Sequence, residues 1–176
     1  MVRFTGRAVG RFRLSEAGQF GQGLGMELPV RQKLPHTIPQ WVDERSFFFI
    51  TICCADRGPN QLCQATLGLE LLSTVAFYHE HLKWHCRLFL LMPDHAHGIL
   101  CFPREPGMQA TIKAWKGYVK RFHGVEWQSD FFDHRLRDRF SLEEKIAYVL
   151  QNPVRAGLCE RPEDWPFVCR PMARSI

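Results

Sequence analysis

Hydrophobic and polar positions change their period several times along this chain, and each change marks an element. Arg45-Ser46-Phe47-Phe48-Phe49-Ile50-Thr51-Ile52-Cys53-Cys54 is a run of aromatic and β-branched residues closed by Asp56-Arg57-Gly58-Pro59, the pattern of a buried strand. From about Leu67 to Leu82 the apolar residues Leu67, Leu71, Leu72, Val75 and Leu82 recur near helical spacing, which predicts an amphipathic helix. Two apolar runs follow, Cys86 to Met92 and His97 to Phe102. The turn-forming pair Pro93-Asp94 between them predicts two antiparallel strands. A second helix is expected from Met108 to Phe122, and a short fourth strand within Trp127 to Leu136.

Ser141-Leu142-Glu143-Glu144 fits a capping box, in which the serine hydroxyl and the glutamate take up unpaired N–H groups at a helix start. Pro153 should bound that helix, because the residue before a proline is pushed out of the α region. Strand, helix, strand, strand, helix, strand, helix is the order of an α+β protein. Its expected core is a ferredoxin-like βαββαβ sandwich, an antiparallel sheet with helices on one face, followed by a C-terminal helix and extension.

The first 32 residues break every period. Six of the 13 glycines fall there, with Arg3, Arg7, Arg11 and Arg13 among them, so 1–32 reads as a flexible tail. Residues 33–170 form the expected domain and 171–176 a short tail. Composition agrees: 176 residues with 45% hydrophobic and 23% charged side chains suit one globular domain and exclude a wholly disordered or fibrous chain. A net charge of +5 permits an anionic partner without requiring one. The seven cysteines include no C-x-x-C pair, so zinc-ribbon and thioredoxin-like sites lack their spacing. No apolar run approaches the roughly 20 residues that cross a bilayer. A reduced, cytoplasmic protein without a membrane partner is expected.

The sharpest candidate chemistry lies in Met92-Pro93-Asp94-His95-Ala96-His97. Histidines at i and i+2 of a strand point to one side of the sheet, where both imidazoles can reach one metal ion. They can equally be two half-buried structural histidines. A histidine-triad hydrolase needs a third histidine at position 99 and a metallo-β-lactamase pattern an aspartate; Ile99 excludes both. Tyr148 and Asn152, at i and i+4, share a helical face. At roughly 100° per residue they fall well away from the stripe of Leu142, Ile146, Val149 and Leu150. Tyr148 therefore points toward solvent or a cleft, or packs at the core edge.

Basic residues suggest a binding surface. Lys113, Lys116 and Lys120 share a helical face with Arg121 nearby, and Arg135, Arg137 and Arg139 follow the Trp127 segment. They could track a phosphate backbone, with Trp115 or Trp127 stacking on unpaired bases and His134 touching DNA. A solvated basic face over core tryptophans is the competing reading. Tyr78, His79 and His81 read as surface positions.

Five blocks in order resemble the REP-associated tyrosine transposases of the single-tyrosine HUH group. They are Phe47–Thr51, Leu91–His97, Trp127–Arg137, Tyr148–Leu158 and Pro162–Pro166. The resemblance extends from about residue 33 to residue 168, and the glycine- and arginine-rich start lies outside it. The resemblance implies His95 and His97 as metal ligands, Tyr148 as the nucleophile rather than Tyr118, and Asn152 as a third ligand. It implies Mg2+ or Mn2+ as cofactor, with zinc as an alternative, and single-stranded hairpins of repetitive extragenic palindromes as DNA partner. The implied reaction is strand cleavage and transfer through a 5′-phosphotyrosine. A non-catalytic protein binding DNA or RNA hairpins is the alternative. A monomer is expected, with a dimer as the other arrangement.

Overall fold

Five strands form one antiparallel sheet: β1 (Phe47–Cys53), β2 (His85–Met92), β3 (His95–Cys101), β4 (Phe132–Leu136) and β5 (Val168–Cys169), in the spatial order β4-β1-β3-β2-β5. They alternate with α1 (Ala65–Glu80), α2 (Gly107–His123), α3 (Arg139–Leu150) and the short α4 (Asn152–Arg155). This computed structural model describes residue 36 and residues 38–171, all within one compact unit, Pro35–Ile176. The expected tail 1–32 and residues 172–176 of the C-terminal tail lie outside the described residues. The first four strands carry the expected βαββαβ connectivity, with β1 between β3 and β4.

Cross-strand pairing assigns every side chain to a face. Opposite residues of an antiparallel pair share a side, and neighbours along a strand alternate. Phe48, Ile50 and Ile52 pair with Leu100, Gly98 and Ala96, and Phe89 pairs with Gly98. This face carries α1 and α2. The Trp115 ring of α2 lies 5.4 Å from Phe89 and 6.0 Å from Trp84, and its indole N–H donates to Thr74 Oγ1 of α1 at 2.9 Å. Trp115 is wholly buried, so it belongs to the core and is no base-stacking platform. The other face carries Phe49, Thr51, His95, His97 and Ile99, and α3 lies over it.

Three sequence expectations shift. The capping box of α3 begins at Asp138 rather than Ser141: the Asp138 carboxylate accepts from the Ser141 N–H at 2.7 Å, and Ser141 Oγ accepts from the Asp138 N–H at 3.2 Å. Serine serves in the box's second position, where glutamate was expected, so the helix starts earlier. Pro153 does not end the helical path. It sits in the first turn of α4, where a missing N–H costs nothing, and Gln151 between the two helices keeps αR geometry. His79 is buried, not a surface residue, with Nδ1 accepting from the Cys86 N–H at 3.2 Å.

The C-terminal extension completes the sheet. Beyond the 3-10 turn Pro162–Asp164, the Trp165 indole donates to the Leu91 carbonyl at 2.9 Å, and β5 pairs with the edge of β2. The Phe167 ring lies against Gly68 of α1 so closely that a Cβ there would stand 2.4 Å from it. All seven cysteines are free. Burial pushes the Cys54 thiol up to about 12, so it behaves as a small apolar side chain. Among the described residues no helix is long and apolar enough to cross a membrane.

Candidate nuclease site

The hairpin of β2 and β3 turns on two residues, Pro93 and Asp94, with Met92 paired to His95. A loop after β1 grips this tip. The Asp94 carbonyl accepts from the Cys54 N–H at 2.9 Å, and the Pro93 carbonyl accepts from Gln61 and Leu62 at 2.8 and 3.0 Å. β3 therefore begins at His95, two residues earlier than its hydrophobic run indicates. Both histidines stand on one face while Ala96 is buried on the other. Their rings are 4.8 Å apart between centroids and nearly perpendicular, at 83°.

Each imidazole is fixed through Nδ1. His95 Nδ1–H donates to Asp94 Oδ1 at 2.7 Å; a carboxylate can only accept, so this bond assigns the proton to Nδ1 in the neutral tautomer and leaves Nε2 as its lone-pair atom. The second Asp94 oxygen accepts from the Gly58 N–H at 2.7 Å and from Arg57 Nε at 2.9 Å. Gly58 makes its bond with φ at +99°, a conformation glycine adopts without steric cost. Burial alone would raise the Asp94 carboxyl, but the bonds from His95 and Gly58 and the Arg57 charge outweigh it and hold the pKa low. His97 Nδ1 lies 3.1 Å from Thr51 Oγ1. Burial, with the charges of His95, Arg57 and Lys145, pushes the His97 pKa down to about 3, so this ring is neutral.

α3 brings Tyr148 over the same face. The Phe49 ring stacks 5.3 Å from His97, Lys145 Nζ sits 5.0 Å from the Phe49 ring and 4.8 Å from the Tyr148 ring, and Arg155 Cζ lies 5.0 Å from Tyr148 on the other side of the α3–α4 junction in sequence. Tyr148 is 41% exposed, in keeping with its position off the apolar stripe. The Asn152 side-chain Nδ2 is buried without a hydrogen-bond partner among the described residues. Since the oxygen and nitrogen of such an amide are assigned from their partners, this is an amide end with an unmet bond. Among the described residues no three His, Cys, Asp or Glu side chains gather as a metal cluster. Among the described residues the donors available to a cation are the Nε2 atoms of His95 and His97, neither of them hydrogen-bonded, and the Asn152 amide.

The basic residues are distributed differently. α2 packs on the opposite face of the sheet from the histidines. Lys116 Nζ donates to the carbonyls of Gln128, Ser129 and Asp130 at 2.6, 3.2 and 3.4 Å, and burial lowers its pKa although Asp130 acts against this. Lys120 pairs with Glu126 at 2.7 Å. Lys113 is exposed at the mouth of a cleft of about 400 Å³ between α2 and residues 126–131. Arg121 is exposed and lies over Phe122. On β4, His134 is exposed on the histidine face, opposite Phe49; Arg135 points to the α2 face and lies 5.0 Å from the Trp41 ring. Arg137 is exposed just before the α3 cap. Trp127 is half-buried, 5.5 Å from Trp115, and forms an isolated bridge to Cys54, so the short strand expected within Trp127 to Leu136 occupies its second half.

Several partners escaped the sequence reading. Asp94 was legible only as a turn former, although it directly precedes His95. Arg57 and Lys145 lie in no motif, Thr51 and Arg155 lie in the Phe47–Thr51 and Tyr148–Leu158 blocks without an assigned role, and all four gain their places through pairing and helix packing. His36, in the proline-punctuated lead-in, bonds Asp133 and Asp130 and stacks 3.9 Å from Phe131. Burial pulls its pKa down, but those two carboxylates outweigh burial and raise it.

No protein-family model matches the chain. A protein of Haemophilus influenzae assigned as a REP-associated tyrosine transposase is 26% identical over 137 residues, covering 68% of this chain and 77% of that protein. The REP-associated tyrosine transposase of Escherichia coli is 29% identical over 84 residues, 45% of this chain and half the length of that relative. A solved structure of a REP-associated tyrosine transposase bound to a REP hairpin matches with a TM-score of 0.63 at 20% identity, covering 74% of this chain and 80% of that one. The proteins to which this chain is similar, in sequence and in fold, are thus REP-associated tyrosine transposases.

Proposed function

We propose that the chain is a metal-dependent single-strand DNA endonuclease and strand transferase acting on hairpins of repetitive extragenic palindromes through a 5′-phosphotyrosine intermediate. The observation that carries this reading is the shared face of β1 and β3. Two imidazoles whose Nε2 atoms make no hydrogen bond among the described residues stand on it beneath the helix that carries Tyr148, linked to that tyrosine through the contacts of Phe49 and Lys145. The relatives' names point to the same class of reaction.

In this reading Tyr148 Oη attacks the scissile phosphorus, and the phenol proton passes to water. The P–O3′ bond breaks, the departing oxygen takes up a proton as a 3′-hydroxyl, and the 5′ phosphate stays on Tyr148. One phosphodiester replaces another, so the strand is rejoined by the reverse step without ATP. His95, His97 and Asn152 would hold Mg2+ or Mn2+, which supplies Lewis-acid polarisation of the phosphate when bound. Mixed imidazole and amide-oxygen donors suit manganese better than magnesium. Asp94 and Thr51 hold the two imidazoles in place, and Arg57, Lys145 and Arg155 bias the surroundings toward a polyanion.

Incubation of the full chain with 5′- and 3′-labelled palindrome hairpins and Mn2+, followed by a denaturing gel, tests the reading. Wild-type protein should yield a covalent protein–DNA adduct and a free 3′-hydroxyl. Tyr148→Phe should yield neither while binding the hairpin within a few-fold of wild type. An adduct formed by Tyr148→Phe would overturn the assignment.

A further inference from the structure

We propose that Lys145 is a further catalytic residue of this site, the cation that contacts the non-bridging oxygens of the scissile phosphate as Tyr148 attacks. The inference rests on the reading of Tyr148 as nucleophile and adds to it a residue that no sequence motif marks.

The Lys145 ammonium is held without a carboxylate counter-ion among the described residues. Lys145 Nζ lies 4.8 Å from the Tyr148 ring and 5.0 Å from the Phe49 ring, within the range at which an aromatic face attracts a cation. Arg155 adds a second cation 5.0 Å from the same tyrosine. Neither forms an ion pair with a carboxylate among the described residues, whereas Arg57, Arg104, Lys120, Arg139 and Arg161 all do. Lys145 is also half-buried, and its charge reaches far enough to disfavour protonation of His97. An exposed surface lysine would be solvated and indifferent to the histidines. This one stands between the proposed nucleophile and the proposed metal ligands.

Local geometry explains the placement. Lys145 precedes Tyr148 by three residues on α3, and residues at i and i+3 are neighbours on one helical surface. Phe49 sits on the sheet face beneath, stacked on His97, so the lysine stem crosses from helix to sheet. Four flexible carbons let the ammonium move from the ring face to a phosphate joined at the phenolic oxygen, which a planar guanidinium does less readily.

The chemistry needs such a group. As the Tyr148 oxygen–phosphorus bond forms and the P–O3′ bond breaks, negative charge gathers on the two non-bridging oxygens. A preplaced cation in a partly dehydrated site stabilises that charge without reorganisation. The proton balance is unchanged: the phenol loses its proton to water, the 3′ oxygen gains one, and Lys145 stays protonated throughout.

The test compares wild type, Lys145→Met, Lys145→Arg and Tyr148→Phe as full-length proteins, in single-turnover adduct formation with Mn2+ at saturating hairpin. Each is assayed on a normal phosphodiester and on a neutral methylphosphonate at the scissile position, with hairpin affinity measured alongside. On the phosphodiester, Lys145→Met should form adduct about 100-fold more slowly, and Lys145→Arg should recover part of the loss. On the methylphosphonate, which lacks one charged oxygen, the gap between wild type and Lys145→Met should shrink to a few-fold, with hairpin affinity little changed. An unimpaired Lys145→Met, or a loss equal on both linkages, overturns the role of Lys145 while leaving Tyr148 in place. Adduct formation by Tyr148→Phe would instead remove the underlying reading.

Discussion

The Asp94 carboxylate holds His95 Nδ1 at 2.7 Å with one oxygen and is itself held by the Gly58 N–H and Arg57 with the other. Carboxylates in this relation fix the tautomer and orientation of a ligating imidazole and raise its basicity. Asp94→Ala should therefore weaken Mn2+ binding about 10- to 100-fold in titration calorimetry, while Asp94→Asn, which keeps an acceptor oxygen, should lose less. The nitrogen chemical shifts of His95 provide the second readout. They should report a proton on Nδ1 in the metal-free wild type and a mixture of tautomers in Asp94→Ala. Unchanged metal affinity in the alanine variant would show that the clamp does not serve the imidazole.

This clamp illustrates which parts of the site were legible in the sequence. Period-two alternation on β1 and β3 places His95 and His97 on one face because both strands are regular. The off-stripe angle of Tyr148 follows from helical geometry alone. Asp94, Thr51 and Arg57 could not be read so, since register and loop closure decide what they touch. The α2 lysines show the converse. Their i, i+3, i+7 spacing does put them on one face, but spacing cannot reveal that the carbonyls of residues 128–130 and Glu126 take up Lys116 and Lys120. β5 was invisible for a related reason: two residues carry no period, and only the edge of β2 makes them a strand.

His97 links site and stability through pH. Its imidazole titrates near 3 in the folded chain, held down first by burial and then by the charges of His95, Arg57 and Lys145, against 6.5 in the unfolded chain. Between those values the unfolded chain binds a proton that the folded chain refuses, so the stability from this residue is present above 6.5 and is lost as pH falls toward 3. Each unit of displacement is worth about 1.4 kcal/mol. Urea unfolding of the metal-free protein between pH 7.5 and 4 should show this decline, and His97→Phe should flatten it. Equal slopes in the two proteins would place the titration elsewhere.

Gly68 should be intolerant of any side chain. A Cβ there would stand 2.4 Å from the Phe167 ring and 3.0 Å from the Leu62 carbonyl, so the C-terminal extension must lift from α1 to admit it. Gly68→Ala ordinarily gains helix propensity, yet overpacking at this contact should make it net destabilising by about 1–3 kcal/mol. Because β5 follows Phe167 directly, amide exchange should quicken at Val168 and Cys169 more than in β1 or β3. A thermal midpoint equal to wild type would mean the extension yields without cost.

Lys113 and Lys116 separate binding from architecture. Lys113 is exposed, whereas Lys116 spends its ammonium on three carbonyls of the segment that leads to β4. Hydrogen bonds to a charged donor are worth more than neutral ones, but this lysine is partly solvated. Lys116→Ala should accordingly cost only about 1–2 kcal/mol in denaturant unfolding. Lys113→Ala should leave stability unchanged. If α2 tracks the hairpin backbone, that variant should bind the hairpin several-fold more weakly and reduce the slope of log affinity against log salt by about 1. Unchanged affinity and slope in Lys113→Ala would remove α2 from the DNA interface. Binding would then fall to the histidine face and its rim, where His134 is exposed opposite Phe49.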